Sequence, residues 1–171
     1  MDTYQSILTL RSVRQFDLGR PIEAAALQRV LQAGRMSGSS KDSQPWRFIV
    51  VTEQATLQAL SGTGDYAQHL AGAAFAVAIV FDPGFYRGEF DSGRAAQNMM
   101  LAAWNDGLGS CLASMHREDD CKAVLGVPPE LRLQHIISFG YPLPVDQSIP
   151  VVPKRRRKPL DEIVMHERWK E

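Results

Sequence analysis

Phe75-Ala76-Val77-Ala78-Ile79-Val80-Phe81, closed by Asp82-Pro83-Gly84, is an unbroken apolar run that ends in turn formers. Such a run, bounded on its far side by proline and glycine and carrying no polar alternate, predicts a strand covered on both faces. Phe48-Ile49-Val50-Val51 reads the same way, and a further strand is expected near Gln134 to Phe139, stopped at Gly140-Tyr141-Pro142. Around these runs lie helical patterns. Leu27, Val30, Leu31 and Gly34 recur at i, i+3, i+4 and i+7 within residues 22–34, entered through Pro21 at a first-turn position. Ser92 is placed to cap a helix from about Gly93 to Asp106, with Gly107 as its stop. Ala96, Met99, Met100, Ala103 and Trp104 form one face of that helix, while Ala95, Leu101 and Ala102 lie on others. A helix apolar nearly all round is buried. Two covers are open: the centre of the domain, or a second subunit, which a chain this short favours.

The resulting order is helix, helix, strand, helix, strand, helix, strand, helix, strand, tail. An α+β layer architecture fits it, with a central mixed β-sheet flanked by helices, since 171 residues hold too few βα units for a barrel. The length, with 44% hydrophobic and 22% charged residues, predicts a single domain over residues 1–171. A formal net charge of zero points away from polyanionic partners and acidic membrane surfaces. The start, Met1-Asp2-Thr3-Tyr4-Gln5, lacks the basic and apolar regions of a secretory signal, and no apolar run reaches the ~18 residues of a membrane span. The expectation is a soluble cytoplasmic protein. Cys111 and Cys121 form no C-x-x-C pair, so neither a disulfide framework nor a zinc knuckle is indicated.

Side-chain catalysis finds no obvious carrier. H-E-x-x-H, G-x-S-x-G and the P-loop are absent, and Gly62-Thr63-Gly64 lacks the third glycine of a dinucleotide fingerprint. His69, His116, His135 and His166 are scattered without metal-ligand spacing and read as surface or hydrogen-bonded histidines. This pattern is expected where a bound cofactor does the chemistry and the polypeptide positions it.

Three separated segments suggest which cofactor. Arg11-Ser12-Val13-Arg14-Gln15-Phe16 offers two guanidinium groups and a hydroxyl, a set suited to a phosphate dianion. Gly38-Ser39-Ser40-Lys41-Asp42-Ser43-Gln44-Pro45-Trp46-Arg47-Phe48 is a loop of short donors and acceptors leading into a strand. The third set is Gly107-Leu108-Gly109-Ser110-Cys111, then Gly140-Tyr141-Pro142 and the basic tail Lys154-Arg155-Arg156-Arg157-Lys158 before Pro159. The first resembles the N-terminal R-S-x-R-x-F signature of the nitroreductase family. The second is similar to that family's P-S-x-x-N-x-Q-P-W-x-F loop, and the third to its G-L-G-S, G-Y-P and phosphate-binding tail.

The resemblance implies a nitroreductase-like fold and a homodimer with its FMN sites at the subunit interface. It also implies ping-pong transfer of two electrons from NAD(P)H through FMN to a small acceptor such as a nitroaromatic, quinone or enone. It places Arg11, Ser12, Arg155 and Arg157 at the phosphate and Arg14 near the flavin N1/O2 edge as electrostatic support. Ser39, Ser40 and Asp42 would reach the partner's flavin, and residues around Ala113 and Ser114 would present backbone groups to the ring. No protein acid or base is required, no metal is expected, and neither nucleic acid nor membrane is an expected partner. Relatives often carry Arg at Leu10, Pro at Gly38 and Asn at Asp42, which bears on flavin affinity and potential. The same fold hosts flavin fragmentation, reductive dehalogenation and azoline oxidation. A reading from another class is a non-enzymatic binding protein using Lys154–Lys158, whose binding to nucleic acid would be steeply salt-dependent.

Overall fold

The computed structural model describes residues 2–144 and 157–169. The chain runs α1 (Thr3–Thr9), α2 (Ala24–Arg35), β1 (Trp46–Val51), α3 (Gln54–Ser61), β2 (Phe75–Phe81), α4 (Gly88–Asn105), β3 (Gly109–Ser114), α5 (Glu118–Leu125), β4 (Arg132–Gly140) and α6 (Leu160–Ile163). The expected alternation of helices and strands is thus observed, and the α+β architecture with it. The four strands form one sheet in the order β1-β2-β4-β3.

The apolar run that predicted a doubly covered strand is β2, and alternation divides its side chains between two cores. Phe75, Val77 and Ile79 join Ile137 and Phe139 of β4 under α2 and α4, where the Phe75 and Phe139 rings stack with centroids 4.8 Å apart. Ala76, Ala78 and Val80 join Ile136 of β4 and Ala113 of β3 on the other face, under Leu57 and Leu60 of α3, Leu70 of the turn that follows α3, and Cys121 of α5. That second layer is tied to β4 by charge. Glu118 accepts from the Leu133 N–H at 2.8 Å and from Arg132 Nε and Nη2, each at 3.1 Å, and pairs with Lys122 at 3.3 Å. Burial alone would raise its carboxyl pKa, but these donors outweigh burial and hold it below the usual range.

Three expectations need correction. The sheet was expected to be mixed, yet all three ladders between its strands are antiparallel, and among the described residues parallel pairing is confined to the isolated bridge Ser12–Ser110. Helix α4 begins at Gly88, so Ser92 lies inside it, buried, rather than capping it. The cause is a tight turn: Gly88 donates to the Phe85 carbonyl at 2.9 Å and packs so near the Phe81 ring that a Cβ would sit 2.9 Å from it. Pro21 likewise precedes Glu23, the residue that caps α2, and lies outside the first helical turn.

Of the two covers open for the apolar helix, the core accounts for one side: Ala95, Ala96, Met99 and Ala103 are buried against α2 and the sheet. Met100 packs against the same core, while Leu101, Ala102 and Trp104 are only half-buried and Phe90 is exposed, so among the described residues the other side of α4 is left partly uncovered. Among the described residues, no helix is long and apolar enough to cross a membrane.

Candidate active site

The segment Arg11–Phe16 lies as a strap across the ends of β3 and β4. The Val13 N–H donates to the Ser110 carbonyl at 2.9 Å, the Asp17 N–H to the Tyr141 carbonyl at 2.8 Å, and Phe16 pairs with Pro142. Two glycines permit this approach. A Cβ on Gly109 would fall 2.6 Å from Val13 Cβ, and one on Gly140 would fall 2.8 Å from Phe16. The glycines of the G-L-G-S and G-Y-P segments therefore leave room for the R-S-V-R-Q-F segment. Three stretches distant in sequence form one local structure.

On this edge Arg11, Ser12 and Arg14 are exposed. Arg11 lies over the Trp104 ring, its Cζ 5.7 Å from the centroid, and Trp104 Nε1 donates to Thr9 Oγ1 at 2.9 Å, which holds the strap's entrance to the end of α4. β3 is an edge strand. Because the Met115 N–H turns inward to the Gln134 carbonyl and the Ser110 carbonyl turns outward to Val13, alternation turns the backbone groups of Leu112 and Ser114 outward. Those of Ala113 face β4, and its side chain is buried, so the donors on this edge belong to its two neighbours.

Beneath the strap is a buried polar chain. Ser138 Oγ donates to the Cys111 carbonyl at 3.2 Å and lies 2.8 Å from His69 Nδ1. His69 is 7% exposed, and its Nε2 has no hydrogen-bond partner among the described residues; the same is true of Ser110 Oγ. Burial, with the nearby Arg14 charge adding to it, lowers the His69 pKa to about 4. Burial also raises the Cys111 thiol, against opposing contributions from Arg14 and from a Ser12 hydrogen bond. Both groups are uncharged at neutral pH, and both sense the Arg14 guanidinium.

The second expected set sits elsewhere. Ser39 is half-buried and Ser40 and Asp42 are exposed, in a loop strained at Lys41 (φ 53°), Asp42 (φ 54°) and Gln44 (φ 45°), three non-glycine residues in the left-handed region. Such conformations cost about 1–3 kcal/mol each and persist where neighbours enforce them. Buried Asp91 accepts from the Ser40 N–H at 2.8 Å and pairs with Arg94 at 3.5 Å. Gly38 lies against that arginine, Ser39 Oγ accepts from the Gln44 N–H at 2.9 Å, and Asp42 Oδ1 accepts from Gln44 Nε2 at 3.0 Å.

These two sets are anchored to opposite ends of α4, the loop at Asp91 and the strap at Trp104, about 20 Å apart at the rise of a helix. They also occupy the two ends of the strand order, beside β1 and beside β3. One chain does not bring them together. Two concavities of about 300 and 210 Å³ occur, the first near Ile22, Thr52 and Phe75, the second near Pro45, Asp82 and Phe85, and neither is lined by an expected cofactor residue. Arg157 is exposed just before α6, and Arg155 lies outside the described residues. His69 was not expected at the site. Its proximity to Ser138 spans 69 positions, and nothing local in the sequence signals it.

The strap, its glycines and the unpartnered buried Nε2 of His69, which senses Arg14, fit a ligand that brings an anion and further hydrogen-bonding groups. The model described as the nitroreductase family matches residues 7–76 and 66–141. A protein of Archaeoglobus fulgidus, provisionally named an NADH dehydrogenase/NAD(P)H nitroreductase, is 31% identical over 80% of this chain and 83% of its own. A crystal structure from Parabacteroides distasonis with the same provisional name superposes with a TM-score of 0.86, at 26% identity, over 98% of each chain. The NADPH:FMN oxidoreductase of Vibrio harveyi, solved with NAD+, superposes with a TM-score of 0.84 at 26% identity, over 99% of this chain and 78% of that one.

Two outcomes test this geometry. Gly109→Ala is expected to cost about 1–3 kcal/mol by forcing Val13 away, whereas Gly72→Ala, whose Cβ meets no atom within 4 Å, stays within about 0.5 kcal/mol; equal effects in chemical denaturation would contradict the close approach. His69 has a folded pKa below its ordinary value of 6.5, so the unfolded chain binds its proton first. The stability tied to neutral His69 is complete above about pH 6.5 and is lost as pH falls toward about 4. His69→Leu should flatten the acid slope of unfolding free energy in that window by up to about 3 kcal/mol, and an unchanged slope would contradict a buried neutral ring.

Proposed function

Since the chain belongs to the nitroreductase family, we propose that it is a cytoplasmic, single-domain FMN-dependent NAD(P)H oxidoreductase that reduces a small oxidised acceptor, a nitroaromatic, quinone or enone, by a ping-pong route. The observation that carries the reading is the strap edge: exposed Arg11, Ser12 and Arg14 beside outward backbone groups and unpartnered buried atoms. When bound, FMN supplies the two-electron chemistry, accepting hydride from NAD(P)H and passing it to the acceptor. The protein's share is binding and electrostatics. Arg11 and Ser12 hold the phosphate, joined by Arg155 and Arg157 of the tail, and Arg14 places a positive charge beside the ring edge on which reduction leaves negative charge. On the β3 edge around Ala113 and Ser114, the outward backbone groups of Leu112 and Ser114 face the ring, while those of Ala113 stay paired with β4.

The 20 Å separation along α4 argues for a homodimer. A two-fold axis across the open side of this helix would bring the Ser39, Ser40 and Asp42 loop of each copy to the strap of the other. The apolar groups left exposed, Tyr4, Ile7 and Leu8 of α1, Phe90 of α4, and Leu160 and Trp169 near the C-terminus, provide area for such an interface.

The purified protein is expected to be yellow, to release FMN on denaturation and to sediment as a dimer. A colourless protein that FMN does not reconstitute would overturn the cofactor assignment. A monomer with full flavin occupancy would overturn the shared site. Asp42 gives a finer test. A carboxylate only accepts hydrogen bonds, whereas an amide also donates, and beside a ring that gains negative charge it disfavours reduction. Asp42 is exposed in the single chain, so its field is partly screened. Asp42→Asn should raise the two-electron potential by on the order of 30 mV, equivalent to about 1.4 kcal/mol. An unchanged or lowered potential, with FMN still bound, would place Asp42 away from the flavin.

A further inference from the structure

The unpartnered Nε2 of His69 lies on a ring that is fixed from behind. The Ser138 hydroxyl has one proton, and both of its contacts are hydrogen bonds only when that proton goes to the Cys111 carbonyl, an oxygen that cannot donate. With that proton committed, the 2.8 Å contact between Ser138 Oγ and His69 Nδ1 is made by an Nδ1–H donating to the serine oxygen. The remaining nitrogen, Nε2, is then a bare acceptor, buried and without a partner among the described residues. Ser138 is fully buried in β4, opposite Cys111 in the ladder, so the anchor of this ring is part of the sheet. Arg14, the strap residue whose charge reaches this ring, is one of the residues that the FMN reading above assigns to the cofactor. A buried acceptor left bare is unfavourable, and a donor arriving with a ligand would remove that cost.

We propose that His69 is a cofactor-reading residue, whose Nε2 accepts a hydrogen bond from an N–H group of the bound ligand, and that Ser138 is its positioning residue, holding the ring in the Nδ1–H tautomer. The inference rests on the FMN reading above. The donor class is a ring or imide N–H, which FMN offers and which neither a phosphate nor an aliphatic hydroxyl provides. The ring takes no proton; it stays neutral and acts as an acceptor. Sequence distance conceals this pairing, because His69 lies in the turn after α3 and Ser138 in β4, and only the β2–β4–β3 ladder sets them together.

The experiment follows the imidazole nitrogens by ¹⁵N NMR in the FMN-free protein and after FMN is added, with His69→Gln assigning the resonance. The expected result is an Nδ1–H tautomer with a free Nε2 before addition, and an Nε2 resonance moved toward hydrogen-bonded values in the complex. His69→Leu, which removes the acceptor, should weaken FMN binding about three- to tenfold, the range of one net hydrogen bond. His69→Gln, whose amide oxygen restores an acceptor, should recover most of that loss. Ser138→Ala should shift the tautomer toward Nε2–H and weaken FMN to a similar extent, without adding to His69→Leu.

An Nε2 already hydrogen-bonded before FMN is added, or one that does not move when FMN binds, overturns the proposal and leaves the cofactor reading standing. Equal FMN affinity in His69→Leu and the unmodified protein does the same. If FMN fails to bind the unmodified protein, the cofactor reading falls and this proposal with it.

Discussion

Backbone against backbone at Gly109 and Gly140 is the contact on which the proposed site depends. The strap donates to β3 and to the end of β4 through Val13 and Asp17, and the distances left at the two glycines are too small for any side chain. Overpacking there would move the strap, and with it Arg11, Ser12 and Arg14 together, since all three are carried on the same short segment. Main-chain pairing registers the backbone positions from which Arg11, Ser12 and Arg14 project, which is a stiffer constraint than any contact between long flexible side chains.

Helix α4 then acts as a ruler. Its buried line, Ala95, Met99 and Ala103, locks it to α2 and the sheet, and its two ends carry different duties. Trp104 holds the strap through Thr9 and stacks with Arg11, while buried Asp91 holds the strained loop through Ser40. Since the two ends lie about 20 Å apart along the helix, the shared site proposed above is one that two copies of this ruler, running opposite ways, would complete. The strain at Lys41, Asp42 and Gln44 is consistent with a loop shaped for a surface other than its own chain's.

Much of this was legible in the sequence, for reasons that can be named. The run Phe75–Phe81 announced a strand with two covers because both of its alternating faces are apolar, and Gly107 ended α4 where it takes a positive φ of 79°. The start of α4 was misread because Ser92 has the right chemistry for a cap, while the chain instead opens the helix at a glycine pressed on Phe81. The parallel contribution to the sheet was overestimated, since alternation of helices and strands does not distinguish a crossover from a layered antiparallel return. Arg11, Ser12 and Arg14 were singled out from local pattern, and the structure carries all three, exposed, on one strap. His69 was passed over as one of four scattered histidines, because its partner is 69 positions away and its significance is the absence of a second one.

The unpartnered buried atoms share a logic with the rest of the proposed site. Ser92 Oγ, Ser110 Oγ and His69 Nε2 are the orphans among the described residues. Ser92 neighbours Asp91 at the loop end of α4, whereas Ser110 and His69 lie under the strap at the other. A fold that maximised its own stability would replace such atoms with apolar ones of similar shape, because each bare group costs about 1–3 kcal/mol. Their presence at both halves of the proposed site, beside the left-handed loop residues, is what the proposed cofactor and partner would answer by supplying hydrogen bonds that the chain's described residues do not. Cofactor and partner would then stabilise the fold through the same atoms that position the chemistry, and occupancy of the site would be coupled to stability by mass action.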